Sequence, residues 1–166
     1  PRVIAMPTVR SALRVPAELD LAAIDPRGRP VGPQDKEAAA DAMAELGEEL
    51  DDRQEALYAE ASGGGRRAVL LVLQGMDTSG KGGVISHAAG LVNPQGLAIA
   101  SFKKPTEQER GQHFLQRVRA RVPAPGMIGV FDRSHYEDVL IARVASLVPE
   151  DVWRGRYAEI VAFERE

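Results

Sequence analysis

The 166-residue chain has no cysteine, only one Trp, three Tyr and four Phe, and three His. Without cysteine there is neither a disulfide framework nor a thiolate metal site. That suits a reducing compartment, and the cytoplasm is the expected location. No apolar run reaches bilayer-spanning length, and Pro1–Asp20 lacks the pattern of a secretory leader, so no membrane partner is expected. No internal repeat is evident. The start at Pro1 implies that an initiator Met was removed or that the numbering begins inside a longer chain. What is present in quantity is apolar: 44% hydrophobic residues suffice for a core, and the length fits one domain, or one domain plus an appendage.

The net charge of −3 hides an asymmetry. Residues 1–65 hold 7 Lys/Arg against 13 Asp/Glu, net −6, and residues 66–166 hold 14 against 11, net +3. The basic half suits anionic substrates. Its positive charge concentrates at Lys103, Lys104, Arg110, Arg117, Arg119 and Arg121. A nucleic-acid groove is the competing reading, but the stretch carries no interleaved aromatics beyond Phe102 and Phe114, so no nucleic-acid partner is expected. For Arg119 and Arg121 a solvated helix face is the plainer alternative.

Chemistry is most legible at residues 74–83, Gln-Gly-Met-Asp-Thr-Ser-Gly-Lys-Gly-Gly. Gly75, Gly80 and Lys81 fit the phosphate-loop pattern G-x-x-x-x-G-K-[ST], but Gly82 stands where a Ser or Thr usually binds Mg²⁺. An acid inside the loop, Asp77, offers a carboxylate for the metal instead. Ala68–Leu73 reads as a strand buried on both faces. Ile85, Ala88, Ala89 and Val92 then recur at helical spacing. Strand, glycine loop and helix are the context a phosphate loop needs. Loop amides, with Met76, Thr78, Ser79 and Gly83 among them, would face the phosphates, and Lys81 would place a point charge on the outer ones.

A second apolar segment, Met127–Phe131, follows the turn Pro123-Ala124-Pro125-Gly126 and ends in Asp132-Arg133-Ser134. An acid at the end of a strand beside the phosphate loop is where a second metal ligand belongs. Arg133 would offset charge on a transferring phosphoryl group. The alternatives are a helix cap or surface ion pair for Asp132 and a structural ion pair for Arg133.

Elsewhere the reading is architectural. Residues 1–34, rich in Pro and Gly, form an extended N-terminal arm, and residues 35–166 form the core. A helix spans 36–61 with an apolar stripe of Met43, Leu46, Leu50 and Leu57, ended by Gly63-Gly64-Gly65. Further strands lie at 97–102 and 127–131. Capping boxes at Thr106/Glu109 and Ser134/Glu137 open two helices. Tyr136, Leu140, Val144 and Leu147 form the core stripe of the second, where His135 and Tyr136 pack and cap. A last helix starts at Pro149, with Trp153, Tyr157 and Ile160 on one face. The expected fold class is α/β, three layers around a parallel sheet with right-handed crossovers. Three strands leave a sheet edge that another chain or a further segment is expected to cover.

Four blocks in order resemble the polyphosphate kinase 2 family: Gly75–Gly83, Val92–Gly96, Ser101–Thr106 and Phe131–Leu140, with Arg156–Ile160 through Phe163-Glu164 fitting as well. The resemblance implies a P-loop kinase fold and Mg²⁺-dependent transfer of a terminal phosphoryl group between inorganic polyphosphate and a nucleoside mono- or diphosphate, AMP or ADP giving ADP or ATP. It implies metal binding by Asp77 and Asp132, the loop-lysine role for Lys81, and the arginine after the second acid for Arg133. It also implies phosphate or nucleotide contacts by Lys103, Lys104 and Arg117, and a homo-oligomer.

The family's usual Trp before Arg117 is Gln116, and Ser86 and Arg110–His113 also depart from its pattern. The preferred nucleotide therefore stays open. In the family a further strand, a basic helical lid and a final strand follow the Phe-Glu-Arg block, so a fragment, a proteolysed sample or a partly divergent protein is expected here. Two other readings compete with the phosphotransferase. One is a non-catalytic module that binds polyphosphate or nucleotide. The other is a nucleoside monophosphate kinase that uses ATP as donor.

Overall fold

The structure, a computed structural model, describes residues 8–166. Three parallel strands, β1 (Val69–Leu73), β2 (Leu97–Ser101) and β3 (Ile128–Asp132), form one sheet in the order β1-β3-β2. All three lie within a residue or two of the expected segments. Val69 and Leu97 both stand opposite Ile128, and Leu73 and Ser101 both stand opposite Asp132. The strands thus end in line. The segments that leave them, the phosphate loop, the Lys103-Lys104 segment and Asp132-Arg133, start from one rim of the sheet, where open α/β sheets bind ligands.

The two-residue period of a strand puts Val72, Ala100 and Phe131 on one face. They pack with Phe102, Val118 and Phe163, and the rings of Phe102 and Phe131 meet edge to face at 4.8 Å. Val130 and Phe131 on the central strand are fully buried. β1 departs from the expectation of burial on both faces: Val69, Leu70 and Leu71 are 39–49% exposed. The strand order accounts for it in part: β1 is one of the two edges of the sheet, and β2, with Ile99 52% exposed, is the other.

The chain divides into two compact units between Leu46 and Gly47, inside α2 (Lys36–Ser62). In the first unit the arm is not wholly extended. Thr8 caps the short helix α1 (Val9–Leu13), and Asp20 caps a 3-10 turn at Leu21–Ala23. Pro1–Pro7 lie outside the described residues.

α2 ends as expected at the glycine run. Gly64, at φ +93°, donates to the Ala61 carbonyl, and Gly65 donates to that of Glu60. Its inward residues match the expected stripe only in part, Met43 and Leu57 being half-buried. Gly47 and Gln54 are buried, whereas Leu46 is 57% and Leu50 36% exposed. Gln54 turns inward because Gly96 has no side chain: a Cβ there would lie 1.4 Å from Gln54 Nε2.

α3 (Lys81–His87) follows the phosphate loop, and α4 (Glu107–Arg110) opens with the Thr106/Glu109 capping box that the sequence predicted. α5 (Gln116–Arg119), α6 (Glu137–Val144) and α7 (Glu150–Arg165) complete the core. Leu115, Val139 and Ile160 meet in a second buried cluster. Two predicted faces are matched only in part, Trp153, Ile160 and Tyr136 turning inward as expected. α6 buries Val139 and Ala142 and exposes Leu140 and Val144; Leu147, beyond its end, is exposed as well. On α7, Arg156 and Ile160 face inward while Tyr157 is 46% exposed. Apolar spacing alone does not tell a helix which of two adjacent stripes to bury; on α7 the inward-facing Arg156 donates to the Asp138 carbonyl.

Candidate active site

The phosphate loop leaves β1 through Gln74. Ser79 N–H donates to the Met76 carbonyl, closing a tight turn with Thr78 at φ +67°. Gly80, at φ +93°, is the N-cap of α3. Lys81 Nζ donates to the carbonyls of Gly75 at 2.9 Å and Met76 at 2.8 Å, so its ammonium is held over the loop. Gly82 and Gly83 face open space.

From the other side β3 delivers Asp132 and Arg133. Two backbone bonds clamp this pair: Arg133 N–H donates to the Leu73 carbonyl, and the Asp132 carbonyl accepts from Phe102 N–H, both at 3.0 Å. Arg133 is left-handed at φ +63°, an uncommon conformation for a non-glycine residue and frequent at functional sites. Asp132 Oδ2 accepts from Ser101 Oγ at 3.1 Å, so this acid neither caps a helix nor pairs with a base. Arg133 does form the ion pair foreseen as its alternative, and the partner is Asp77. Asp77–Gly82, Asp132 and Arg133 line one open cleft of about 380 Å³. The four residues read as catalytic from the sequence are thereby brought together.

A larger cleft of about 560 Å³ adjoins this one through Arg133. Lys103, Lys104, Phe102, Ile141 and Leu147 are among its lining residues, so it is apolar with a basic rim. Lys103 and Lys104 also line a third cleft with Arg117 and Arg121. Arg117 is not a free cation. Its guanidinium donates to the Lys103 carbonyl at 2.8 Å, lies 3.6 Å from Asp138 Oδ2 and stacks over Phe102. Burial pushes the Asp138 carboxyl up, with Arg117 and then Arg156 pulling the other way.

The long-range contacts of several residues at this rim escaped the motif reading. Ser134 is fully buried, and the capping box expected of Ser134 and Glu137 does not form. Ser134 Oγ accepts from Tyr136 N–H and donates to Gln74 Oε1, while Glu137 accepts from Gln74 Nε2. His135 and Tyr136 pack as expected but no side chain caps α6, and both reach Glu164 on α7. No sequence spacing joins Gln74 to Ser134 or Tyr136 to Glu164; only the parallel register and the return of α7 do.

Among the described residues no helix is long and apolar enough to cross a membrane. The family model for polyphosphate kinase 2 matches residues 33–166. The AMP/ADP-polyphosphate phosphotransferase of Meiothermus ruber is 50% identical over 130 residues, which are 78% of this chain and 47% of that protein. The ADP-polyphosphate phosphotransferase of Rhodopseudomonas palustris is 42% identical over 71% of this chain and 44% of its own length. The crystal structure of polyphosphate kinase 2 from Arthrobacter aurescens superposes with a TM-score of 0.88 at 44% identity, over 92% of this chain and 54% of that one. The chain thus spans about half the length of the relatives it matches. With the P-loop kinase architecture and the motifs in place, the chain belongs to the polyphosphate kinase 2 family.

Proposed function

We propose that this protein transfers a terminal phosphoryl group between inorganic polyphosphate and a nucleoside mono- or diphosphate, AMP or ADP, with Mg²⁺ held by Asp77 and Asp132. The observation that carries the proposal is the meeting of Asp77, Lys81, Asp132 and Arg133 in one cleft at the end of three aligned strands. The residues fit the metal. Among the described residues no three His, Asp or Glu side chains form a complete cage. Two carboxylates completed by phosphate and water oxygens are the usual setting for Mg²⁺. When bound, the ion supplies charge neutralisation on phosphate oxygens.

The chain's own groups account for the rest. Loop amides and Lys81 hold the phosphates of one substrate. The apolar cleft beside Arg133 suits the nucleoside, with Lys103 and Lys104 at its rim and Arg117 fixing the Lys103 backbone. An acceptor phosphate oxygen attacks phosphorus in line as the bond to the departing phosphate breaks. That oxygen carries no proton at neutral pH, so no general base is required. Arg133 offsets the charge that develops, and positioning and electrostatics supply the rate enhancement. Cytoplasmic residence and a homo-oligomer belong to the same proposal, the first resting on the cysteine-free composition and the second on the family resemblance.

Donor exchange tests the reading. The chain, given ADP or AMP, is expected to form product with polyphosphate and Mg²⁺. Product from AMP with ATP as donor, and none with polyphosphate, would assign it as a nucleoside monophosphate kinase. Polyphosphate bound without any product would make it a binding module.

A further inference from the structure

Two loops must hold a fixed separation for Asp77 and Asp132 to share a cleft; the β1–β3 pairing and the bond from Arg133 N–H to the Leu73 carbonyl fix where the loops start, and beyond that point side chains must tie them. The phosphate loop's lysine is bonded to its own loop carbonyls. The Arg133–Asp77 ion pair does cross between the loops, but both partners belong to the proposed chemistry and must turn to substrate and metal. One side-chain link remains that no substrate needs to break. Gln74, the last residue before the loop, accepts from Ser134 Oγ at 3.0 Å and donates from Nε2 to Glu137 Oε1 at 2.6 Å. Ser134 Oγ is itself fixed by Tyr136 N–H at 3.2 Å and has no exposure to solvent. An amide is the one short side chain that answers a hydroxyl donor with its oxygen and a carboxylate acceptor with its nitrogen. The link spans 60 residues to Ser134 and 63 to Glu137. It lies just beyond the last paired residues of β1 and β3, Leu73 and Asp132, and flanks the left-handed turn at Arg133.

We propose that Gln74 is a positioning residue: through Ser134 and Glu137 it locks the phosphate loop to the acid-bearing loop, so that Asp77 and Asp132 stay aligned when Arg133 leaves Asp77. The proposal rests on the phosphotransfer reading above and adds to it a residue that precedes Gly75, the first glycine of the phosphate-loop pattern.

The test is a polarity swap. Gln74→Glu keeps the acceptor for Ser134 but sets a carboxylate against Glu137. Glu137→Gln sets two amides together. The double variant Gln74→Glu/Glu137→Gln restores one donor and one acceptor with the direction reversed. Glu137 also lines the larger cleft, so the criterion is the coupling between the two substitutions rather than the effect of either alone. The four proteins are compared for kcat and KM in polyphosphate-driven ATP formation, for Mn²⁺ affinity by electron paramagnetic resonance in the presence of ADP, and for melting temperature.

The expected result is that Gln74→Glu lowers kcat and Mn²⁺ affinity by roughly tenfold at pH 8, with a smaller change in the KM for polyphosphate, and that the double variant recovers most of both. A merely structural role would move the melting temperature without that pattern of recovery. Wild-type kcat and Mn²⁺ affinity in Gln74→Glu, or a double variant no better than the product of the single effects, would overturn the proposal. The Mn²⁺ comparison decides the bridge even if the wild type forms no ATP, which would instead overturn the phosphotransfer reading.

Discussion

Gly80 and Gly82 stand two residues apart in the phosphate loop and answer to different constraints. Gly80 is left-handed at φ +93°, while Gly82 lies within α3 with open space where a Cβ would point. Gly80→Ala is expected to destabilise the fold by about 1–2 kcal/mol through backbone strain alone. Gly82→Ala is expected to stabilise it by about 0.5–1 kcal/mol, because alanine loses less conformational freedom in a helix. Denaturant midpoints of the two variants check the loop geometry, and equal effects would contradict it. That Asp77 and Lys81 share a glycine loop and that Asp132 and Arg133 end a strand was legible in the sequence because each pattern is local, and the fold brings the two to one cleft. The engagement of Arg117 with Lys103, Asp138 and Phe102 was not, since a basic residue at a given spacing reads the same whether it is free or already paired.

The three strands were placed to within a residue or two because each is a short apolar run bounded by turn signals. The helix faces were less legible: α6 and α7 carry apolar residues on more than one stripe, and tertiary partners choose among them. α7 is tied to the acid loop by Glu164, which accepts from Tyr136 Oη and lies 3.2 Å from His135 Nε2. Burial, followed by the Glu164 hydrogen bond and charge, pushes the Tyr136 phenol up to about 12. A raised phenol value means that the stabilising contribution is complete below the ordinary value near 10 and is lost as pH climbs through about 12. Ultraviolet titration of the three tyrosines is expected to show one late phenolate, with its midpoint lowered in Glu164→Gln. An unchanged midpoint in that variant would contradict the Tyr136–Glu164 contact.

Across the molecule, the half that carries the phosphate-loop motif is also the basic half, a division readable from composition. The sheet edge at β1 was foreseen from the strand count, although the exposure of Val69–Leu71 was not, because a continuous apolar run does not say whether its strand is central or marginal. Such an edge offers unpaired backbone groups beside apolar side chains. The 166-residue chain is therefore expected to self-associate with rising concentration in sedimentation experiments, and Leu70→Lys to reduce that association. Identical behaviour of the two proteins would show that association, if any, uses another surface. The account as a whole turns on the cleft where Asp132 meets Asp77, Lys81 and Arg133. The measurement that tests it most directly is ATP formed from ADP, polyphosphate and Mg²⁺ by the wild type and by Asp132→Asn. A polyphosphate-dependent rate that falls by at least about a hundredfold in the variant, at an unchanged melting temperature, is the expected result. A variant as active as the wild type would contradict it.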